Sequence, residues 1–116
     1  MQVTVPWPPK QLSPNARVHW AIRSRNAKRY RQLCYLAAQR AGARVLEPEP
    51  ETVQVCITFH PPDRRRRDWD NLLASIKHGL DGVAQALGVD DRVFRPRLEV
   101  GDPVKGGAVQ LEIPPC

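Results

Sequence analysis

Between Thr52 and Leu87 the apolar period of the sequence changes once, from two residues to about 3.6, and this change limits the possible folds more than any other feature. In "TVQVCITF" Val53, Val55, Ile57 and Phe59 fall on one side of an extended chain, which predicts a strand with one buried face. After "HPPDRRRRD", the residues Leu72, Leu73, Ile76, Leu80, Val83, Ala84 and Leu87 repeat at helical intervals as far as Gly88. Earlier in the chain, "QVTV" predicts a short edge strand that stops at Pro6-Trp7-Pro8-Pro9, where prolines remove ladder donors. Residues 24–42 place Tyr30, Leu33, Cys34, Leu36 and Ala37 at helical spacing beside Arg25, Lys28, Arg29, Arg31 and Arg40, the pattern of a basic amphipathic helix ending near Gly42. Further strands are expected over 92–100 and through Val109, Leu111 and Ile113. The order β-α-β-α-β-β predicts an α+β fold, a small mixed sheet with two main helices. A chain of 116 residues accommodates this as a single domain, 1–116.

Lys and Arg outnumber Asp and Glu by 18 to 12, and a net charge of +6 favours a polyanionic partner. No apolar run approaches the roughly 18 residues of a membrane span, and "MQVTVPWPPK" lacks the apolar centre of a secretion signal. The expected location is cytoplasmic, with no membrane partner. Cys34, Cys56 and Cys116 are odd in number and far apart, so neither a disulfide framework nor, with His19, His60 and His78 equally scattered, a zinc spacing is present.

The densest chemistry lies in "DRRRRDWDN", residues 63–71. In an extended conformation Arg64 and Arg66 point one way and Arg65 and Arg67 the other, so the run belongs on an edge or along a groove. At about 100° per residue, Asp70, Lys77 and Asp81 fall within roughly 20° of one line on the following helix. Asp68 precedes that helix and Asp90-Asp91 follows it. Capping and surface pairing alone would explain each aspartate singly. As a set they suggest more. Two carboxylates about 5 Å apart repel by roughly 3 kcal/mol at an effective dielectric near 20, and Mg²⁺ or Mn²⁺ would supply the missing counter-charge. Such an ion polarises a phosphodiester, while the arginines hold its backbone.

"DRRRRDWDN", with "VPWPP" near the start, "DDRV" after the helix and "PVKGG" before the last strand, resembles the RusA family of Holliday junction resolvases, in the same order from Pro6 to about Ile113. The resemblance implies a homodimeric, Mg²⁺-dependent endodeoxyribonuclease that nicks opposed strands of four-way junction DNA. The family's metal-binding and catalytic aspartates would fall on Asp68, Asp70 and Asp91, with Asn71 completing the motif and Asp90 the lesser half of its pair. The sequence departs from the pattern at one point. The family's lysine would fall on Ala74, and Lys77 stands one turn later on the same stripe, from where its amine is expected to reach the same cleft.

Arg64, Arg65, Arg66, Arg67, Lys10, Arg17 and Lys105 are the candidate DNA contacts, with His19 and Arg23 in the same basic N-terminal segment. Trp7 is read as packing on the sheet. Trp69, placed to point away from both flanking aspartates, is read as core rather than as a surface for stacking bases. Two other functions remain open on the residues alone: a basic DNA-binding protein without catalysis, and a nuclease for flaps or other branched DNA.

Overall fold

The computed structural model describes residues 1–114, and Cys116 lies outside them. The elements are β1 (Gln2–Pro6), α1 (Trp20–Arg40), β2 (Val53–His60), α2 (Trp69–Leu87), β3 (Phe94–Val100) and β4 (Ala108–Glu112), with single 3-10 turns at Lys10–Leu12 and Asp91–Val93. The fold is α+β, in the expected order. The four strands form one sheet ordered β1-β4-β2-β3. β4 runs antiparallel to both its neighbours, while β2 and β3 are parallel and joined through α2. Among the described residues no helix is long and apolar enough to cross a membrane.

Strict alternation sets the two faces of the sheet. Val53, Val55, Ile57 and Phe59 of β2, Val3 and Val5 of β1, and Val109 and Leu111 of β4 are all buried against the helices. The opposite face carries Thr4, Gln54, Arg95, Arg97 and Gln110 and stays exposed. Phe59 also packs edge-on against Trp7, with ring centres 6.0 Å apart, so Trp7 lies on the sheet as expected.

The first helix ends at Arg40, just before Gly42 as expected, and differs from its sequence reading at its start and on its buried face. It starts at Trp20 instead of 24, because His19 Nδ1 accepts from the Ala21 amide and caps it. The buried stripe is Tyr30, Cys34 and Ala38, while Leu33 and Leu36 are exposed. Two glycines of α2 make room for this stripe. A Cβ at Gly82 would run into the Arg31 carbonyl, and one at Gly79 would stand 2.7 Å from Tyr30 and 2.9 Å from the Cys34 sulfur. The helices therefore approach almost backbone to backbone at Gly82, and the bare Gly79 leaves room for the Tyr30 ring and the Cys34 sulfur. Tyr30 donates a 2.6 Å hydrogen bond to the Pro6 carbonyl, tying α1 to β1, and burial pushes the neighbouring Cys34 thiol up to about 12.

α2 spans the expected region and ends as expected, with Gly88 in the left-handed conformation at φ 69°. Its buried face is Leu72, Ile76, Leu80, Val83, Ala84 and Leu87, whereas Leu73 is only half-buried. The strand expected over 92–100 begins two residues later, because Asp90 caps a 3-10 turn by accepting from the Arg92 amide at 2.9 Å.

Candidate active site

Two clefts flank the first turns of α2. The phase of the helix assigns residues between them: Asp68, Asn71, Leu72 and Ser75 face one, and Trp69, Asp70, Leu73, Ala74 and Lys77 face the other. The N-terminal end of α2 is thus the ridge between two sites of different character.

The first cleft, of about 410 Å³, is cationic. Arg65, Arg66, Arg67 and Lys10 line it with Ser13 and Asn15, above a floor that includes Trp7. Asp63 organises the arginines. Its carboxylate accepts from the Arg65 amide at 2.9 Å, pairs with Arg65 Nε at 3.2 Å and with Arg67 at 3.0 Å. The Arg65 amide is the main reason that its carboxyl lies below the ordinary value, with both guanidiniums adding to it. Arg67 is folded inward, 5.5 Å over the Trp7 ring, and donates to the Asp63 and Arg65 carbonyls. Arg64 and Arg66 are exposed and have no ion-pair partner among the described residues. The alternation expected from sequence therefore holds in part: Arg67 is a structural member of the run, and the others face solvent.

The second cleft, of about 440 Å³, joins charge to apolar surface. Asp70, Lys77, Asp91 and Arg92 stand on one side, and Trp69, Leu73, Leu80, Phe94 and Pro96 on the other. Lys77 Nζ donates to Asp91 Oδ2 at 2.7 Å and lies 3.9 Å from Asp81 Oδ1. The hydrogen bond to Asp91 holds the lysine above its ordinary value. The same bond is the main cause that keeps Asp91 below the ordinary carboxylate range. Asp81 moves the other way, raised chiefly by burial and then by its contact with Asp91.

Neither motif aspartate is consumed by capping in the ordinary sense. Asp68 occupies the N-cap position of α2 without a side-chain cap bond, and among the described residues Asp70 Oδ1 accepts from the adjacent Asn71 amide at 3.0 Å. Asp90, by contrast, is committed to its turn.

Asp70 and Lys77 thus share one cleft, as their helical phase suggested, and Asp91 joins them there, while Asp81, on the same stripe, does not line it and Asp68 faces the cationic cleft. Among the described residues no group of three or more His, Cys, Asp or Glu is gathered closely enough to hold a metal ion. The donors that do share a cleft, the Asp70 and Asp91 carboxylates, are hard oxygen ligands. Mg²⁺ is commonly held by one or two such groups together with substrate phosphate oxygens and water.

Of the candidate DNA contacts, Lys10 reaches the cationic cleft, whereas Arg17 and Lys105 are exposed and line neither cleft. Arg23 turns inward and donates to the Ser13 and Ala16 carbonyls, bracing the loop before α1. Trp69 is not core. It is 67% exposed, because position 69 lies on the flank of α2 that faces the second cleft rather than the sheet. Asp63 escaped the sequence reading, although its place two and four residues before Arg65 and Arg67 carried the signal.

No family model matches the chain. A protein of Xylella fastidiosa (strain Temecula1), described as an uncharacterized protein, is 45% identical to it over 113 residues, covering 96% of this chain and 74% of the relative. The chain belongs to the family of that protein. At this identity, over nearly the whole chain, the two are expected to share the fold.

Proposed function

We propose that the chain is a Mg²⁺-dependent endodeoxyribonuclease that resolves four-way DNA junctions by paired nicks, acting as a homodimer. The observation that carries this reading is the single cleft holding Asp70, Lys77 and Asp91, separated only by the first turns of α2 from the arginine-lined cleft. The motif resemblance to the RusA family supports the substrate.

Each part has a physical task. Arg65, Arg66 and Lys10 attract the phosphate backbone, with Arg64 beside them on the exposed run. Asp70 and Asp91 are the carboxylates that would hold Mg²⁺, which when bound polarises a phosphodiester and lowers the pKa of a bound water. Lys77, more than half exposed and able to swing on its four-carbon stem, exchanges Asp91 for a phosphate oxygen and so holds the strand to be cut.

The test is a labelled four-way junction incubated with the protein and Mg²⁺, with both nicks mapped. Symmetric paired nicks that vanish with EDTA are expected. Asp70→Asn should bind the junction but cut it slower by orders of magnitude, and wild-type cutting by that variant would refute the assigned site. Light scattering should give about twice the 13.1 kDa chain mass.

A second reading, DNA binding without cleavage, draws on the Lys77–Asp91 ion pair, in which each group supplies the other's counter-charge. Binding unaffected by EDTA and no nicks on any branched substrate would select it.

A further inference from the structure

The apolar side of the second cleft has no task in the chemistry described above. Trp69 presents most of its indole to solvent, and Leu73, Leu80, Phe94 and Pro96 continue the apolar surface beside it. Exposed tryptophan is costly to leave in water, since a large aromatic ring contributes most when covered. Nothing within the described residues covers this one.

We propose that this groove receives one unpaired DNA base, stacked on Trp69, next to the phosphate held at Asp70, Lys77 and Asp91. The inference rests on the reading of the chain as a DNA-acting protein and adds how the strand is held.

Three features favour a base over a protein surface as the occupant. The groove is half rimmed by charge, with Asp70, Lys77, Asp91 and Arg92 on its border. Cores of protein interfaces are depleted of charged groups, so a second protein chain would have to bury them. A nucleotide instead pairs an apolar ring with an anionic phosphate and matches both sides at once. Next, Trp69 follows directly on the arginine run, so a backbone bound at Arg64 and Arg66 passes within a few residues' length of the indole. A cationic track beside an exposed aromatic ring is how proteins hold single-stranded nucleic acid whatever its sequence. Finally, a volume of about 440 Å³ lies within the range of clefts that take small molecules, ample for one planar base.

The geometry assigns the phosphate and the base to opposite sides of one cleft. Fully paired duplex keeps its bases stacked and offers none to Trp69 at small cost, whereas the strand-exchange point of a branched molecule does. Trp69 is thereby a positioning residue that favours branched over linear substrate.

The experiment measures equilibrium binding, with no cleavage required. The probes are a fluorescent oligothymidylate and an abasic strand with the same number of phosphates. Wild-type protein should favour the thymidylate, and Trp69→Ala should lose about ten-fold in thymidylate affinity while abasic affinity is unchanged. Trp69→Phe, which keeps an aromatic face, should retain most of the preference. Equal losses on both probes, or no loss on either, would overturn the assignment. So would conversion of a dimer to a monomer by Trp69→Ala in sedimentation without DNA, because the groove would then belong to a second copy of the chain. A chain that prefers bases through Trp69 but never nicks a junction would leave this inference standing and remove the nuclease reading alone.

Discussion

Lys77 reaches Asp91 across 14 residues of sequence to make a 2.7 Å hydrogen bond that joins the third turn of α2 to the turn after it. The lysine side chain is 63% exposed, so this pair adds little to the fold, at most about 1 kcal/mol. Its main effect is electrostatic. Lys77→Met should leave the urea midpoint nearly unchanged, move the Asp91 carboxyl back up toward its ordinary 3.8 in a carboxyl NMR titration, and abolish junction cleavage. A normal cutting rate in that variant would remove Lys77 from the reaction.

The pH dependence of stability follows from the opposed shifts. Asp91, held low, contributes stability that is present above its ordinary 3.8 and is lost as pH falls through its lower folded value. Asp81, held high, binds its proton more tightly when folded, so its share of the stability falls as pH rises from 3.8 through its raised folded value. Asp81→Asn should therefore be neutral or stabilising at pH 7, and thermal unfolding at pH 3 and pH 7 should show a smaller difference attributable to that site. Clear destabilisation at pH 7 would mean that the Lys77–Asp81 attraction outweighs burial.

Phosphate contact belongs mainly to the unpaired arginines. Arg64→Gln with Arg66→Gln should reduce the slope of log affinity against log salt on duplex DNA by about 1.8, near 0.9 for each lost phosphate contact. Arg67→Gln should instead lower stability, since its guanidinium is packed over Trp7 and bonded to Asp63. An unchanged slope in the double variant would show the run to be only solvated surface.

Gly82→Ala tests the helix crossing. The added methyl would meet the Arg31 backbone, and overpacking of this kind costs about 1 to 3 kcal/mol. Urea denaturation should show the loss. A variant as stable as the wild type would mean that α1 can slide away from α2.

Much of the architecture was legible because alternation in "TVQVCITF" and the leucine period of α2 each leave one face to bury, and the structure buries those faces. The face of α1 was not legible from hydrophobicity. Leu33 and Leu36 looked like core, but the crossing admits only what fits against Gly79 and Gly82, a contact between residues some 45 to 50 positions apart. The stripe of Asp70, Lys77 and Asp81 could be placed from helical phase alone, and Lys77 does bridge to Asp81. That Asp68 would face the other cleft was not legible, because it is the extended N-cap residue and lies outside the helical phase that places Asp70 and Lys77. The exposure of Trp69 was hidden for a different reason: its surroundings are set by β3, through Phe94 and Pro96, and not by its neighbours in sequence.

Because the first turns of α2 divide two clefts, the spacing within residues 68–77 is far less forgiving than its composition. A single residue inserted between Asp70 and Lys77 would turn everything before it by about 100° relative to the rest of the helix. Asp70 would swing out of register with Lys77 and Asp91, and the indole of Trp69 would leave its groove. The arginine run keeps a phase of its own, because Asp63 meets Arg65 and Arg67 two and four residues on and so seats Arg67 over Trp7. Natural or engineered length variants of this protein are therefore expected to tolerate no gain or loss within residues 68–77, and to lose the Asp63–Arg67 pair where an arginine is gained or lost at 64–66.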